Sequence, residues 1–240
     1  MIVSLRSSVL GAFLLALAMP SLQVARADTL KYNGPMYAPY NGTYTFVADP
    51  AGPNNTFSRT VAAGGFSMTN TSAIPQNSFL AWCVDIYGTV QSSASYALKT
   101  GAEFFGAGSR VLTSLERLAS YAFDHWTAAD NVSSAAFQLA IWEIVNEPTA
   151  AYSLSGNEFR VTSGDAAARG LAESWLVAVN TGSYAINQQV GIWQKGAGST
   201  TQNLAVFAPV PEPETYILLL AGLGLMVVYA RRRQRAATAH

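Results

Sequence analysis

The sequence predicts an α+β fold in which a β-sandwich or barrel carries an inserted block of about three helices, followed by a C-terminal apolar helix. Between Leu30 and Val90, short β-branched and aromatic runs alternate with clusters of Gly, Pro and Asn, which is typical of strands and turns. Between Ser109 and Asn180 the apolar residues recur at helical spacing. From Tyr184 to Phe207 strand-like alternation returns, so the helices are predicted to interrupt a β-structure.

Composition limits the classes of function that this chain can serve. Charged residues make up 12% of the sequence and balance to a formal net charge of zero, which disfavours nucleic acid as a partner. Half of the residues are hydrophobic, so the chain is expected to fold rather than to remain disordered. Between residues 28 and 209 the chain has about 180 residues, enough for one domain, and we place the domain there.

Four segments of the mature chain are predicted to be strands or parts of strands. Thr43–Val47 alternates β-branched and aromatic residues, and Tyr184–Ile186 and Asn203–Phe207 show similar short alternation. The run Phe79–Tyr87 is apolar on both faces, which predicts a central strand that is covered on each side. This strand contains Cys83, the single cysteine of the chain.

Three helices are predicted in the middle of the chain. The first contains the apolar stripe that runs from Leu112 to Ala122. The second is capped by Ser133 or Ser134 and runs to about Glu147, where Pro148 ends it. The third follows Asp165 and carries apolar residues at intervals of four. These helices form the predicted insertion.

The N-terminus has the features of a cleavable secretory signal peptide. Arg6 precedes an apolar run over Val9–Met19, and Ala25-Arg26-Ala27 has the small-x-small pattern that signal peptidase cuts. We therefore expect residues 1–27 to be removed and the mature chain to begin at Asp28. The residue directly after this site is Asp28 and not a cysteine, so we do not expect the lipoprotein route.

The C-terminal segment, residues 210–240, contains a short motif, an apolar run and a basic cluster in that order. The motif is Pro211-Glu212-Pro213, the apolar run covers Tyr216–Ala230, and the cluster includes Arg231, Arg232 and Arg233. The apolar run is shorter than the ~20 residues that span a bilayer comfortably. The simplest interpretation is a C-terminal transmembrane anchor with its arginines on the cytoplasmic side.

This order of features resembles the PEP-CTERM sorting signal. The resemblance implies recognition by an exosortase, a transpeptidase-like enzyme of the inner membrane that is thought to cut near the motif. It also implies a Gram-negative bacterium that makes extracellular polysaccharide or biofilm matrix. The expected location is a precursor anchored in the inner membrane, and then the cell surface or the extracellular matrix.

Two residues of the predicted domain need an explanation. Gln138 lies on one stripe of an apolar helix with Trp142 and Val145, so its amide enters the interior, where a missing partner costs about 1–3 kcal/mol. Cys83 is a lone cysteine in an oxidising compartment. An internal thioester, formed when the Cys83 sulfur displaces ammonia from Gln138, would account for both. Alternatively, Cys83 is a small buried hydrophobe and Gln138 bonds to the backbone.

The motifs around these residues resemble those of bacterial surface thioester domains. Trp82-Cys83-Val84 and Phe137-Gln138-Leu139-Ala140-Ile141-Trp142 are similar to the paired motifs of that family, and the order of elements is similar over about Tyr44 to Phe207. The resemblance implies a strand cysteine cross-linked to a helix glutamine, held in reserve to acylate a nucleophile on a target surface. One departure is Phe137, where the better-known adhesin motif has threonine.

Other polar residues have a functional and a structural interpretation. Trp142 and Asp85 are possible walls of the thioester site, although Asp85 also suits a strand-end carboxylate paired with a turn. Glu143 and Glu147 are four residues apart on a helix, which favours a solvated strip over an acid–base pair. His125 with Cys83 suggests a cysteine hydrolase only weakly, because no nucleophile signature surrounds the cysteine.

Three functions from different classes therefore remain. The leading one is an exported adhesin-like protein whose thioester reacts with an unknown surface nucleophile or an extracellular polysaccharide. The second is a passive structural or polysaccharide-associated module, and the third is an enzyme. We expect no enzymatic activity, no catalytic residue and no cofactor. A metal site is not expected either, because His125 and His240 are the two histidines of the chain.

Overall fold

The computed structural model describes residues 27–37, 43–48, 57–126, 130–147, 149–156, 158–210, 219–227 and 229. Within them the strands are β1 (Asp28–Pro35), β2 (Thr43–Ala48), β3 (Phe57–Ala62), β4 (Phe66–Asn70), β5 (Asn77–Cys83), β6 (Ser93–Thr100), β7 (Phe159–Ser163), β8 (Gln188–Lys195) and β9 (Leu204–Pro209). The helices are α1 (Gly101–Phe105), α2 (Arg110–His125), α3 (Asn131–Asn146) and α4 (Ala166–Thr181).

Six antiparallel strands close into a barrel in the order β1-β4-β5-β9-β8-β6. A second sheet has the order β3-β2-β7. No strand of the barrel has a free edge, because each one pairs with a neighbour on both sides. The predicted α+β class is confirmed, and the alternative between sandwich and barrel is decided in favour of a barrel.

The helical block is an insertion between two neighbouring barrel strands. Helices α1 to α4 and strand β7 all follow β6 and precede β8 in the chain, yet β6 and β8 pair directly, from Tyr96 opposite Lys195 to Thr100 opposite Gly191. The predicted inserted block is thus present, with one more helix than expected. The additional helix α1 is a single turn. It begins with a capping box between Thr100 and Glu103.

Helix α3 runs through the middle of the molecule and is buried from Ser133 to Ile144. The predicted serine cap is wrong, because Asp130 is the N-cap and accepts a hydrogen bond from the Ser133 amide at 2.7 Å. The Ser134 hydroxyl instead accepts from the amide of Gly65 at 2.9 Å and so ties α3 to the start of β4.

Two strand predictions need correction. The predicted strand over 79–87 is β5, Asn77–Cys83, which starts earlier and ends at the cysteine. Its first half is not covered on both faces, since Leu80 is 41% exposed. No strand forms at 184–186, because the Tyr184 hydroxyl donates to Asp124 and the Tyr184 ring packs edge-on against Tyr121, which holds this segment on α2.

An aromatic cluster centred on Phe137 joins the helices to the barrel. The Phe137 ring lies 5.0 Å from Trp82 of β5 and 5.2 Å from both Phe123 of α2 and Phe207 of β9. It also contacts Trp175 of α4, with centroids 6.3 Å apart. Because one ring touches four elements, this cluster fixes α3 against the wall of the barrel.

Several predictions about the chain ends lie outside the described residues. These are the signal peptide up to residue 26, Pro211, Glu212 and Pro213 of the motif, and the basic cluster Arg231, Arg232 and Arg233. Strand β1 begins at Asp28, the residue at which the mature chain is predicted to start. Residues 219–227 are helical, with apolar side chains exposed. Among the residues the structure describes, no helix is long and apolar enough to cross a membrane.

Candidate functional site

Cys83 and Gln138 meet where strand β5 ends against the middle of helix α3. The Cys83 amide donates to Gln138 Oε1 at 2.9 Å, and Gln138 Nε2 donates to the Cys83 carbonyl at 2.8 Å. The glutamine is fully buried and the cysteine is 7% exposed. The carboxamide therefore lies directly against the main chain of the cysteine.

The local ladder explains why a side chain takes this place. On one side of β5, Cys83 pairs with Leu204 of β9. On the other side, the ladder with β4 ends at Ala81, opposite Phe66. The main-chain groups of Cys83 thus lack a strand partner on the β4 side, and the amide of Gln138 occupies the position that a strand would fill.

This arrangement bears on both interpretations of the glutamine. Its amide is satisfied by two hydrogen bonds to backbone, as the structural alternative requires. The same bonds hold its carboxamide carbon beside the residue whose sulfur would attack it, as a cross-link requires. Sequence reasoning correctly expected the amide to be buried, and the structure brings the two predicted residues together.

A cavity of about 180 Å³ leads to the pair. Ala62 and Thr89, which are exposed, lie at its outer part, and Cys83 and Gln138 lie at its inner wall. Its aromatic wall consists of Phe46, Phe66 and Trp142. The predicted wall residue Trp142 therefore lines the cavity, with its ring 5.6 Å from that of Phe46.

Burial raises the pKa of the Cys83 thiol well above its usual value. The nearby Asp85 carboxylate raises this pKa further, whereas the Arg59 guanidinium lowers it. Desolvation has the largest effect, because a thiolate in an apolar wall loses its hydration. The thiol is therefore held in its neutral form, which is the form that resists oxidation.

Asp85 lies two residues beyond the end of β5 and is not among the residues that line the cavity. Its carboxylate accepts from the Gly88 amide at 3.1 Å and from the Asn203 amide at 3.0 Å, and it lies 3.7 Å from Lys195 Nζ. These bonds fix the turn after β5 and the start of β9. Asp85 is thus a strand-end carboxylate paired with a turn, and only Trp142 of the two predicted wall residues forms part of the wall.

Two residues of the cavity wall were missed by the sequence analysis. Arg59 directs Nη1 at the carbonyls of Ile86, Tyr87 and Gly88, at 3.2 to 3.3 Å. Gln202, which is 8% exposed, donates from Nε2 to the Gly88 carbonyl at 2.6 Å. Both residues lie far from Cys83 in sequence, and no local motif surrounds them, so only the folded barrel reveals them.

Two residues of the cavity wall each have a buried polar atom without a partner among the described residues. These atoms are Gln202 Oε1, an acceptor, and Trp142 Nε1, a donor. Gln202 and Trp142 are both more than nine-tenths buried and both line the same cavity. Such atoms are rare in folded interiors, because leaving one unpaired costs about 1–3 kcal/mol.

The two glutamates at the other end of α3 are not the solvated strip that the sequence predicts. Glu143 is fully buried and Glu147 is 1% exposed. Glu147 accepts from the amides of Ala150 and Glu158, at 3.3 and 2.7 Å, and Glu143 Oε1 accepts from the Ser153 amide at 2.7 Å. Burial raises the pKa of Glu143 to about 8. These carboxyl groups bind the loop between α3 and β7.

His125 lies at the C-terminal end of α2. Its Nδ1 is 2.7 Å from the Tyr121 carbonyl and its ring stacks on Tyr121, with centroids 4.0 Å apart. It is not among the residues that line the cavity beside Cys83. The structure therefore does not pair this histidine with the cysteine.

Comparison with known proteins bears on the C-terminal segment alone. Residues 209–234 match the family description "PEP-CTERM protein-sorting motif". The motif implies an extracellular surface protein that an exosortase-type enzyme sorts from an exported, membrane-anchored precursor on a Gram-negative cell envelope. No curated protein and no solved structure matches the chain.

Proposed function

We propose that this protein is a covalent surface or biofilm-matrix module with an internal thioester between Cys83 and Gln138. The observation that carries the proposal is the pair of hydrogen bonds between the Gln138 carboxamide and the Cys83 main chain, at 2.9 and 2.8 Å. They hold the acyl group against the main chain of the cysteine, and both residues line the inner wall of a cavity. The predicted export and the sorting motif support a location outside the cell, where this group would meet a foreign surface.

Closure of the thioester is a balanced displacement that requires no co-reactant. The Cys83 sulfur attacks the carboxamide carbon of Gln138, a carbon–sulfur bond forms, the carbon–nitrogen bond breaks, and the thiol proton leaves with ammonia. The Cys83 amide donates to Oε1, the oxygen that gains negative charge during this attack. In this chain a main-chain donor supplies the polarisation, while Phe137, in place of threonine, packs into the aromatic cluster.

Burial of Cys83 keeps the proposed thioester bond unreactive toward water. A thiol with a raised pKa is a poor leaving group, so a closed thioester resists hydrolysis by water. For the same reason the thiol is a weak nucleophile, and closure is expected to be slow and to accelerate as pH rises. A nucleophile that enters the cavity opens the bond, acylates itself on Gln138 and leaves the proton on Cys83.

Intact mass spectrometry of the exported protein tests the proposal. The closed form lacks the mass of one ammonia, and methylamine adds to Gln138 while one thiol at Cys83 becomes titratable. The variants Cys83→Ala and Gln138→Ala each abolish the adduct, and the double variant is no worse than either one, as for two residues that act as a unit. Full unmodified mass, an alkylatable Cys83 and no adduct would refute the thioester.

Ser134→Ala is the matched control for folding. It removes a different buried hydrogen bond between α3 and the barrel, from the Gly65 amide at 2.9 Å, and leaves the pair intact. It should retain the thioester mass and the methylamine adduct. Loss of the adduct in this control as well would mean that the cysteine and glutamine variants act through misfolding.

The second candidate function is a passive structural or polysaccharide-associated module with the same fold. It is favoured by the fact that the Gln138 amide already has both of its bonds to backbone, so its burial needs no covalent explanation. In that function Gln138 completes the edge of β5 and Cys83 packs as a small apolar residue. The mass measurement separates the two functions directly.

A further inference from the structure

A polar cleft of about 280 Å³ lies along helix α2, and we call it the α2 cleft. Its lining residues on α2 recur at intervals of three and four, so they share one face of the helix: Arg110, Thr113, Ser114 and Arg117. Its other walls are Tyr152 and the end of α4, with Val179, Asn180 and Gly182. Among the described residues, none lines both this cleft and the cavity beside Cys83. The α2 cleft is therefore a separate candidate site.

Arg117 brings a cation without a partner to the α2 cleft. Its guanidinium makes no hydrogen bond or ion pair with any residue that the structure describes. Its Nε is closed off from solvent, but Nη1 and Nη2 are not. Nη1 lies 4.0 Å from the place that a Cβ on Gly182 would take, so the end of this side chain lies at the wall of the cleft. The two Nη atoms form the fork that pairs with a carboxylate.

The opposite end of the cleft is held by contacts within the protein. Arg110 donates from Nη1 to the Glu147 carbonyl at 2.9 Å and from Nη2 to the Ala150 carbonyl. Its guanidinium carbon lies 4.1 Å from the centre of the Tyr152 ring. The Tyr152 hydroxyl donates to Ser114 Oγ at 3.0 Å. This end of the cleft is therefore preorganised, and a ligand has no need to order it.

Thr113 supplies a second available group beside Arg117. Its hydroxyl makes no hydrogen bond with a described residue, and it is not closed off from solvent. The two residues are four apart on one helix, which places their Cβ atoms about 5–6 Å from each other. A hydroxyl both donates and accepts, whereas a guanidinium only donates. One ligand can therefore present a carboxylate to Arg117 and a hydroxyl group to Thr113.

The charges around the α2 cleft favour an anion. Arg110 and Arg117 lie about 10 Å apart along the helix, and no acidic side chain lines the cleft among the described residues. Glu143 and Glu147 act electrostatically on Tyr152 from outside the cleft. Burial holds Glu143 in its neutral form, with a pKa of about 8, and Glu147 is bonded to two backbone amides. The two arginines thus leave the cleft with a positive surface.

We propose that the α2 cleft binds a sugar acid, whose carboxylate pairs with Arg117 and one of whose hydroxyl groups bonds to Thr113. The volume of about 280 Å³ lies close to the lower end of the range of about 300–1,000 Å³ that is typical of ligand pockets, which favours a single sugar unit. The cleft is distinct from the cavity beside Cys83, so this inference does not depend on the thioester.

Nuclear magnetic resonance titration of the exported protein tests the proposal with two matched probes. Methyl glucuronide carries a carboxylate where methyl glucoside carries a CH₂OH group, and the two sugars are otherwise the same. Binding is followed at the amides of Thr113 and Gly182. We expect the glucuronide to bind at least about tenfold more tightly, as expected for a hydrogen-bonded ion pair.

Two variants remove the proposed contacts separately. Arg117→Gln removes the charge and should bring the ratio of the two affinities close to one, and Arg117→Lys, which keeps the charge without the fork, should give an intermediate ratio. Thr113→Val removes the hydroxyl at similar size. It should weaken the glucuronide about two- to tenfold and leave cyclohexanecarboxylate, an acid without hydroxyl groups, unchanged. Misfolding would weaken all the probes together, so these differences report recognition.

Arg169→Gln is the matched control. Arg169 is half-buried like Arg117, and its Nε also lacks a partner among the described residues, yet it does not line the cleft. This variant should keep the full preference for the glucuronide. Equal binding of the two sugars by wild type, or a preference that Arg117→Gln leaves intact, overturns the proposal.

Two further probes test the class of ligand. Sulfate is a small anion without a sugar ring, and N-acetylglutamate represents an acidic peptide. Both should bind at least about threefold more weakly than the glucuronide, because neither offers a hydroxyl group to Thr113. Binding of either one as tight as that of the glucuronide overturns the assignment to a sugar acid. The mass that reports the thioester is read separately, so failure of this inference and failure of the proposed function are distinguishable.

Discussion

Two of the buried polar groups of helix α3, Gln138 and Glu143, are built differently. At Gln138 a neutral amide makes two hydrogen bonds to the main chain of Cys83 and leaves no atom unpaired. Less than two turns later, Glu143 presents a buried carboxyl with one oxygen bonded to the Ser153 amide and the other without a partner among the described residues. The first place joins a strand that ends at a cavity; the second joins a loop.

The difference distinguishes a site where a covalent reaction can be proposed from a site that only stabilises the fold. A neutral amide whose nitrogen and oxygen are both bonded can be buried at little cost, and its geometry is set by rigid elements on both sides. A buried carboxyl with one free oxygen is held in its protonated form, so the stability of its region depends on pH. The four predictions below test this contrast, from the largest expected effect to the smallest.

Gln138→Leu has the largest expected effect on stability. It leaves the amide and the carbonyl of Cys83 unpaired in the interior, which costs about 1–3 kcal/mol for each, or about 2–6 kcal/mol in total. The measurement is the free energy of unfolding in urea, made in a Cys83→Ala background so that a cross-link cannot contribute. The Cys83 main chain is intact in that background.

Gln138→Glu serves as its control in the same background. Below the pKa of the introduced carboxyl group, the protonated acid repeats both bonds, donating to the Cys83 carbonyl and accepting from its amide. It should therefore recover most of the lost stability at low pH and lose it again as pH rises. A Gln138→Leu variant that is as stable as its parent would show that the two bonds contribute nothing.

The Glu143 region is expected to weaken as pH rises. The pKa of this carboxyl is about 8 in the folded protein, raised first by burial and then by Glu147 and Glu173, against opposing effects from the Ser153 amide and Arg110. In the unfolded chain it is near 4.5. Between these values the folded state binds more protons, so the stability that is complete below about 4.5 is lost as pH rises through about 8.

Glu143→Gln should flatten this dependence. At about 1.4 kcal/mol per pKa unit the effect has an upper limit near 5 kcal/mol, and relaxation around the ion reduces it to about 2–4 kcal/mol. Because glutamine keeps an acceptor for the Ser153 amide, the variant should be the more stable protein above pH 8. Thermal unfolding from pH 5 to 9 checks this, and parallel curves for the two proteins would contradict it.

The sequence predicted the first of these regions far better than the second. Gln138 could be assigned to the interior because its neighbours are apolar on every side of the helix. Glu143 lies on the same helix and Glu147 is its C-cap, but two glutamates spaced by four are typical of a solvated face. Their burial depends on the loop up to Glu158, which folds over them and supplies amides that no helical pattern encodes.

The fold, like these two regions, could be predicted from the sequence only in part. The class, the inserted helices and the start of the third predicted helix after Asp165 follow from local signals, and each is present. Closure of the barrel, the early end of β5 at Cys83 and the position of Gln202 depend on pairing between distant strands. Local propensity carries no information about these, because register is decided by the packed faces of several strands together.

Ser134→Ala tests how firmly the cavity side of α3 is attached to the barrel. The Ser134 hydroxyl accepts from the buried Gly65 amide at 2.9 Å, and its loss leaves that amide unpaired, at a cost of about 1–2 kcal/mol. Urea unfolding measures the change, with Ser133→Ala as the neighbouring control, since its hydroxyl is not the Gly65 acceptor. Equal effects of the two changes would show that the bond itself contributes little.

Asp130→Ala should have the smallest effect and should weaken both regions together. Asp130 caps α3 by accepting from the Ser133 amide at 2.7 Å, so its removal leaves a first-turn amide without its partner. Loss of an N-cap costs about 1 kcal/mol, and Asp130→Asn, which keeps an acceptor, should cost only a few tenths. Hydrogen exchange in denaturant at the amides of residues 138 and 143 measures the two regions separately. Since both belong to one helix with a single cap, the protection of both should fall by the same factor. A fall confined to residue 138 would mean that the loop bound by Glu143 and Glu147 stabilises its end of α3 independently of the rest of the helix.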